Sequence, residues 1–372
     1  MVIKMKKVKT AVVGLNRGSD LARHILNFAH SLALVAVCDI DRTKAEKFAR
    51  ENHVPAVYDS LDELLKTDVE AVILATPIPE HADQVVAALG AGKHVLSEVT
   101  CATTMEDCLR IAQAVKTAKG KYMMEENYCY YRPLTIVQNM IKAGLLGDIY
   151  YGESDYLMDF QLRPGFPDGL QPWRREVYFG RQGHPYITHT LGPLCFTMGS
   201  DIKTVTCMSA GHSTPLTADN TCVLMLQTQD GGMIRLRNSF VSSRPDLYTY
   251  YSVQGTKGCY QGPQGPTDFH KIHIRGLCRP NEWRNVYDFR GFLPREWDIF
   301  PEGYFDDSRD NGTEKYDSGA PLLLEAFANC ILKDTEPPVS AARALNWTAA
   351  GLLSEASVLG GGIPVEVPDF TL

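Results

Sequence analysis

The sequence predicts an α/β protein: an N-terminal domain with a doubly wound parallel sheet, followed by an α+β domain built on a large, mostly antiparallel open sheet. Two observations carry the prediction. In the first third of the chain, short apolar runs alternate with segments of helical period, the pattern of repeated βα units. After Gly147 the pattern changes to longer, β-rich segments. The boundary is set at residue 126, giving domains 1–126 and 127–372.

Thr10-Ala11-Val12-Val13-Gly14 reads as a buried parallel strand. Leu21, Ile25, Phe28 and Leu32 then recur at helical spacing, so residues 14–20 form a strand-to-helix turn. Its sequence, Gly14-Leu15-Asn16-Arg17-Gly18-Ser19, is an imperfect GxGxxG, with Asn16 and Ser19 where the second and third glycines would stand. Gly14, Asn16, Arg17 and Gly18 are therefore candidate contacts to the pyrophosphate of a dinucleotide, and the domain is read as a Rossmann fold.

Leu34 to Cys38 is a second strand and ends in Asp39, twenty residues past Ser19. A carboxylate there accepts from the ribose hydroxyls of adenosine and repels a 2′-phosphate, which favours NAD. Arg42 close by works against that preference, and a helix-capping acid is the plainer reading of Asp39. Ser60 to Glu63 reads as a capping box, Ala71 to Ala75 as a strand, and Pro79 to Leu89 as a helix ending near Gly92. His94 to Ser97 and Tyr122 to Met124 are two more strands around a helix from Thr104 to Ala118. Ligands of such sheets bind beyond the carboxyl ends of the strands. Thr76, Pro77, His81, Glu98 and Asn127, at or near such ends, complete the candidate cofactor set.

In the second half, Ile149–Leu157, Thr204–Met208, Thr221–Leu226, Met233–Phe240 and Tyr250–Gln254 are strands, two of them joined by a hairpin at Asp230-Gly231-Gly232. A large open sheet rarely leaves both faces to water, so one face is a candidate for oligomerisation as a dimer or tetramer. Residues 261–319, rich in Gly, Pro, Asp and aromatics, read as loops over the site.

Composition narrows the partners. A net charge of −7 gives no reason to expect nucleic acid or an anionic membrane, which leaves a small ligand. No stretch approaches the roughly 20 apolar residues of a membrane span. The basic start, Met1 to Lys9, lacks the apolar core of a secretory signal, so a cytoplasmic protein is expected. The ten cysteines show no CxxC pair and no zinc spacing, so reduced thiols and no metal are expected.

Through the glycine turn, Thr76-Pro77 and the strand-end Glu98, the chain resembles the Gfo/Idh/MocA family of NAD(P)-dependent sugar oxidoreductases over nearly its whole length. The family's usual Glu-Lys-Pro, whose lysine is commonly catalytic, is here Glu98-Val99-Thr100. That change, with Met124-Glu125-Glu126-Asn127-Tyr128-Cys129-Tyr130-Tyr131-Arg132, resembles one branch, the NAD-dependent glycosidases of the α-N-acetylgalactosaminidase type. The likeness continues through Trp173-Arg174, through the run Gly183-His184-Pro185-Tyr186-Ile187-Thr188-His189-Thr190-Leu191-Gly192-Pro193, and through Val253 to Gly258. Ile187 and Thr190 depart from the branch's Tyr-Pro-Thr-His-Gly, as does Asn311 to Gly319 from an expected glycine- and histidine-rich stretch.

The resemblance implies an NAD-dependent glycoside hydrolase acting on a small saccharide: oxidation at sugar carbon 3, loss of the carbon 2 proton, departure of the aglycone, addition of water and re-reduction. It implies His189, Tyr186 and Tyr130 as catalytic residues and Tyr248, Trp173 and Arg174 as substrate contacts. Tyr186 and His189 are three apart and could share one face of a helical turn. Plainer readings stand beside these: a structural histidine, aromatic packing for the tyrosines, a surface role for Trp173-Arg174, and a mere strand-end carboxylate for Glu98. The alternatives in function are a net NAD-dependent sugar or cyclitol dehydrogenase and a dinucleotide-sensing binding protein.

Overall fold

The computed structural model describes residues 6–162, 170–210, 221–265, 267–300 and 319–371. The chain divides into two compact units: residues up to Glu126 with Ala320–Leu345 and the chain end from Phe370, and Asn127–Gly319 with Asn346–Asp369. Two late segments therefore belong with the first unit, where the sequence reading sets one cut at 126.

The first unit runs β1 (Val8–Val13), α1 (Gly18–Asn27), β2 (Leu32–Cys38), α2 (Arg42–Asn52), β3 (Ala56–Tyr58), α3 (Leu61–Leu65), β4 (Ala71–Leu74), α4 (His81–Gly90), β5 (His94–Glu98), α5 (Met105–Thr117) and β6 (Tyr122–Glu125). The strands pair in parallel in the order β3-β2-β1-β4-β5-β6. This is the doubly wound order, and its direction reverses between β1 and β4. Val12, Val37, Val72, Ile73, Val95 and Leu96 are wholly buried, each contributing about 1.5–3 kcal/mol, which is why these strands read as continuous apolar runs.

Local signals explain most element ends. Thr104 caps α5 by accepting from the Asp107 N–H at 3.1 Å, and Asp41 caps α2 by accepting from Lys44. Two expectations are corrected. Leu32 opens β2 instead of closing the first helix, because the chain turns at Phe28 to Ser31 and the Leu32 N–H bonds the Ala29 carbonyl at 3.2 Å. Ser60 does precede α3, but its side chain makes no capping bond to this five-residue helix.

The second unit opens with a 3₁₀ turn, Asn127–Tyr130, and continues as α6 (Arg132–Lys142), β7 (Ile149–Leu157), α7 (Pro172–Phe179), α8 (Thr188–Met198), β8 (Ile202–Ser209), β9 (Thr221–Thr228), β10 (Met233–Ser239), β11 (Leu247–Gly255), β12 (Gly258–Gln261), β13 (Lys271–Ile274) and β14 (Arg284–Asn285). After it come α9 (Ala320–Leu332), which packs on α1 and the first sheet, then α10 (Ala341–Leu359) and β15 (Val365–Glu366).

Nine strands form one sheet in the order β14-β13-β12-β11-β7-β10-β9-β8-β15. Among the described strands of this sheet, only β7 and β10 pair in parallel. The expected hairpin at Asp230-Gly231-Gly232 joins β9 to β10. One face is covered by the nearly all-buried α8, whose Leu194 and Met198 lie where any side chain at Gly152 of β7 would intrude. The opposite face carries exposed Met208, Val223, Met225 and Met233 beside the ion pairs of Glu153 and Asp155 with Arg235, and of Asp155 with Arg237.

The reading of 261–319 as loops is corrected in part. This stretch supplies β13, β14 and two 3₁₀ segments, Val286–Phe292 and Arg295–Ile299, because β-pairing needs backbone partners more than it needs a favourable composition. Residues 301–318, and with them most of the Asn311 to Gly319 stretch, lie outside the described residues. Among the described residues no helix is long and apolar enough to cross a membrane, and no group of three or more His, Cys, Asp or Glu residues could hold a metal.

Candidate functional site

In the first unit the glycine turn is shaped for close approach. Gly14 has φ +85°, and a Cβ there would lie 2.6 Å from the Ala75 carbonyl oxygen, so only glycine lets β1 end against the turn after β4. Gly18 opens α1, and a Cβ on it would meet Val12 at 2.7 Å. The turn therefore lies between β1 and β4, at the switch point of the sheet. α1 starts there, with the Gly18 N–H donating to the Gly14 carbonyl and the Asp20 N–H to the Arg17 carbonyl, both at 3.1 Å, so the positive end of its dipole lies at the switch point, where it favours an anion such as a pyrophosphate. Asn16 holds the Lys44 ammonium at 3.2 Å through its side-chain oxygen.

Asp39 is buried at the end of β2, with its carboxylate accepting from the Leu15 N–H at 2.7 Å, the Asp41 N–H at 2.9 Å and the Lys44 ammonium at 2.7 Å. Burial pushes its pKa up, but Lys44 and the two backbone donors outweigh it and hold the carboxyl below its ordinary range. Asp39 therefore remains an anion beside the turn, a fit to ribose hydroxyls. The cation next to it is Lys44, whereas Arg42 turns away to Glu46 and Asp59 at 2.9 and 3.1 Å.

At the other strand ends, Thr76 donates its hydroxyl to Gln84 at 2.7 Å and Pro77 is exposed. His81 is wholly buried, with Nδ1 2.8 Å from the Thr100 carbonyl and Nε2 2.9 Å from the Thr76 carbonyl. Burial lowers its pKa against those two bonds. With each ring nitrogen facing a carbonyl, His81 ties the loops after β4 and β5 together. Glu98 closes β5 and accepts from Arg17 Nε at 2.7 Å. The positive charge that the sequence lacks after Glu98 thus comes from the glycine turn.

In the second unit the residues around His189 form an aromatic cluster. His189 is buried in the first turn of α8, and Tyr186 stands just before that helix. The Tyr186 hydroxyl and His189 Nε2 are 3.0 Å apart. Tyr128 and Tyr156 flank the imidazole, with ring centres 4.7 and 5.7 Å from it. Tyr178 packs on Tyr186 at 4.9 Å. The backbone of the turn is fixed: the Tyr251 hydroxyl donates to the His189 carbonyl at 2.6 Å, and the Asn238 amide to the Tyr186 carbonyl at 3.2 Å. Gly351 of α10 allows the approach, since a Cβ there would lie 2.6 Å from the Pro185 carbonyl oxygen.

The remaining sequence candidates are placed as follows. Tyr248 touches Tyr156 at 5.3 Å and bonds Asp246. Arg174 stacks over Trp173 at 4.5 Å and donates to the Tyr178 hydroxyl at 3.3 Å, which links this pair to Tyr186. Tyr130 packs on Phe196 at 5.9 Å, and Tyr128 of the same segment meets the imidazole. Asn127 is buried in the 3₁₀ turn. Sequence reasoning missed Tyr128, Tyr156, Tyr178, Asn238 and Lys44. Alternation along β7, where Gly152, Ser154 and Tyr156 share the buried face, is a signal that could have found Tyr156.

An anion-ready glycine turn and a buried ribose-type carboxylate define a dinucleotide-binding domain, and a histidine hydrogen-bonded to a tyrosine supplies groups able to move protons. Comparison with known proteins identifies the class. Residues 8–126 match the oxidoreductase family, NAD-binding Rossmann fold model of Gfo/Idh/MocA, residues 135–261 match a GFO/IDH/MocA C-terminal domain, and residues 215–372 match the glycosyl hydrolase 109 C-terminal domain. The chain belongs to the Gfo/Idh/MocA family of enzymes, with an NAD-binding first domain and a glycosyl hydrolase 109 C-terminal domain.

Among its relatives, a glycosyl hydrolase family 109 protein of Solibacter usitatus is 27% identical, with 98% of this chain and 88% of the relative covered. An alpha-N-acetylgalactosaminidase of Shewanella oneidensis is 25% identical, with 99% and 86% covered. In fold the chain is similar to a levoglucosan dehydrogenase solved with NADH and L-sorbose, with TM-score 0.82, 18% identity and 98% and 100% covered. It is also similar to an oxidoreductase domain protein of Kribbella flavida, with TM-score 0.80, 18% identity and the same coverage.

Proposed function

We propose that the protein is an NAD-dependent glycoside hydrolase that returns its cofactor to the starting redox state in every turnover. The observation that carries this reading is the Tyr186–His189 hydrogen bond inside an aromatic cluster, in a chain whose strand-end Glu98 is followed by Val99 and not by a lysine. The names of two relatives, a glycosyl hydrolase family 109 protein and an alpha-N-acetylgalactosaminidase, support it.

Gly14, Asn16, Arg17, Gly18, Asp39, Thr76, Pro77, Glu98 and Asn127 would hold the dinucleotide. Bound NAD would supply hydride removal at sugar carbon 3 and its later return. A ketone at that carbon acidifies the proton on carbon 2, which a positioned base can then remove. His189 and Tyr186 are the groups for that proton and for the hydroxyl proton, because the 3.0 Å bond lets one pass a proton to the other. Loss of the aglycone from carbon 1 and addition of water follow at the unsaturated ketone. Trp173, Arg174 and Tyr248 would position the saccharide, by aromatic contact and fixed donors, and Tyr130 would assist the proton transfers.

Incubation with a panel of α- and β-aryl glycosides in deuterated water tests the proposal. Release of the aglycone with deuterium at carbon 2 of the free sugar, and no net NADH, is the expected result. The family's other chemistry, net oxidation of a free sugar or cyclitol, gives stoichiometric NADH and no aglycone, and that outcome replaces the hydrolase reading.

The open sheet face is proposed as the contact between copies of the chain, since Met208, Val223, Met225 and Met233 leave an apolar strip on it. Sedimentation equilibrium should show a dimer or tetramer that Val223→Glu with Met225→Glu dissociates. A monomeric parent protein overturns this assignment.

A further inference from the structure

At the ends of β5 and β6 three charges meet. Glu98 and Glu125 are register partners on adjacent parallel strands. Their side chains are 12% and 1% exposed, so both carboxylates lie largely out of water. One guanidinium reaches both: Arg17 Nε lies 2.7 Å from Glu98, and its Nη2 lies 3.9 Å from Glu125. Asp20 also lies near Arg17, 4.0 Å away and half-exposed, where solvent screens it. Arg17 also belongs to the glycine turn, so the group that contacts the dinucleotide cradle is the one that balances the two buried acids.

We propose that Arg17 and Glu125 act as opposed charges that set the balance between oxidised and reduced dinucleotide on the enzyme, with Arg17 a positioning residue clamped by Glu98. This rests on the proposed placement of Glu98 at the nicotinamide ribose. A nicotinamide ring is cationic when oxidised and neutral once it has accepted a hydride, two electrons and a proton. A half-buried guanidinium near the ring disfavours the oxidised form, and a buried carboxylate favours it, because charges interact more strongly where water is partly excluded. Arg17 therefore promotes hydride uptake and Glu125 restrains it. The pair does locally what a single lysine after Glu98 could not do in both directions.

The two variants must move one observable in opposite senses. The dissociation constants of NAD⁺, by calorimetry, and of NADH, by fluorescence, are measured on the full-length protein at one pH. Arg17→Gln is expected to lower the ratio of the NAD⁺ constant to the NADH constant about tenfold, and Glu125→Gln to raise it by a similar factor. Each tenfold step corresponds to about 30 mV in the midpoint potential of the bound two-electron couple. Arg17→Lys keeps the charge and should keep the ratio. If the variants weaken both forms by one common factor, the role is structural and the proposal is overturned. Should Glu125→Gln fail to fold, the Arg17→Gln and Arg17→Lys pair still decides, since an unchanged ratio in Arg17→Gln refutes it. Failure of the parent protein to bind either form overturns the cofactor placement itself, a different result from binding with an unchanged ratio.

Discussion

Replacing Tyr186 with phenylalanine removes one oxygen and leaves the ring. In the structure that oxygen is 3.0 Å from His189 Nε2, while the ring packs on Tyr178 at 4.9 Å and on Phe240 at 6.3 Å. The packing survives the substitution, so the structural loss is one hydrogen bond at a half-buried site, about 1 kcal/mol. For a chain of this length that is a fall in Tm of roughly 2 °C. If Tyr186 shares the transferred protons with His189, the loss in kcat is instead about 10²- to 10⁴-fold, the usual contribution of a positioned acid or base. The two scales are far enough apart to decide. The assay is aglycone release from the best aryl glycoside of the panel, read together with thermal unfolding and NADH fluorescence titration. Activity down at least a hundredfold, Tm lower by a few degrees at most and unchanged NADH affinity are expected. A turnover within fivefold of the parent enzyme refutes the assignment of Tyr186 to the proton pathway.

Three further outcomes follow from the geometry. Asp39→Asn removes a charged acceptor, worth about 1.5–3 kcal/mol per bond, so NAD should bind roughly tenfold to a hundredfold more weakly in calorimetry. Because the folded Asp39 pKa is lowered, its contribution to stability is full above the ordinary carboxylate pKa and disappears as pH falls through the depressed value; the gap between parent and Asp39→Asn in urea unfolding should therefore close only in strong acid. Gly14→Ala forces a Cβ to within 2.6 Å of the Ala75 carbonyl oxygen at φ +85°, so a loss of about 1–3 kcal/mol in denaturant unfolding is expected, with NAD affinity falling as well. Burial drives the His270 pKa down to about 3, and the ring stays neutral between the Tyr260 and Tyr131 hydroxyls at 2.8 and 3.4 Å. Its stability contribution is whole above the unfolded pKa near 6.5 and declines by up to about 1.4 kcal/mol per pH unit below it, a decline that His270→Gln should abolish in unfolding curves.

How legible each part was in the sequence follows from how each part is held. The parallel sheet is legible because its strands are buried on both faces and so appear as unbroken apolar runs, as at Ala71 to Leu74, and because Thr104 marks the start of α5. The three half-buried residues of β3 and the polar α2, which buries only Ala45, Phe48 and Ala49, leave too weak a periodic signal. Leu32 was misleading because its spacing from Phe28 suits a helix, and only the turn between them shows otherwise. In the site, Tyr186 and His189 are close in sequence and were found as a pair. Tyr128, Tyr156 and Tyr178 come from a 3₁₀ turn, a strand and another helix, and only tertiary folding gathers them around Tyr186 and His189. Lys44 was missed because a lysine inside an exposed helix reads as solvated until Asp39 and Asn16 are seen to hold it.

The departures from the family branch near His189 bear on mechanism in a specific way. Ile187 is buried at the cap of α8, and the Thr190 hydroxyl donates to the Ile187 carbonyl at 2.9 Å and approaches Asn238 at 3.3 Å. Asn238 in turn holds the Tyr186 carbonyl. Both substitutions therefore act on the scaffold of the 186–189 turn and not on the rings beside the imidazole. A glycine at 190 would leave Asn238 without its threonine partner, so this chain fixes the turn by side-chain bonds where a smaller residue would rely on backbone alone. The hydrogen-bonded pair Tyr186–His189 can thus stay in place while its support changes. On the proposed reading, differences in the accepted sugar should then arise at Trp173, Arg174 and Tyr178, whose stacked guanidinium and hydroxyl are joined to Tyr186 without contributing to its bond with His189. Exchanging Thr190 for glycine should lower stability with the glycoside preference unchanged, whereas Arg174→Ala should alter that preference and leave the Tyr186–His189 bond intact.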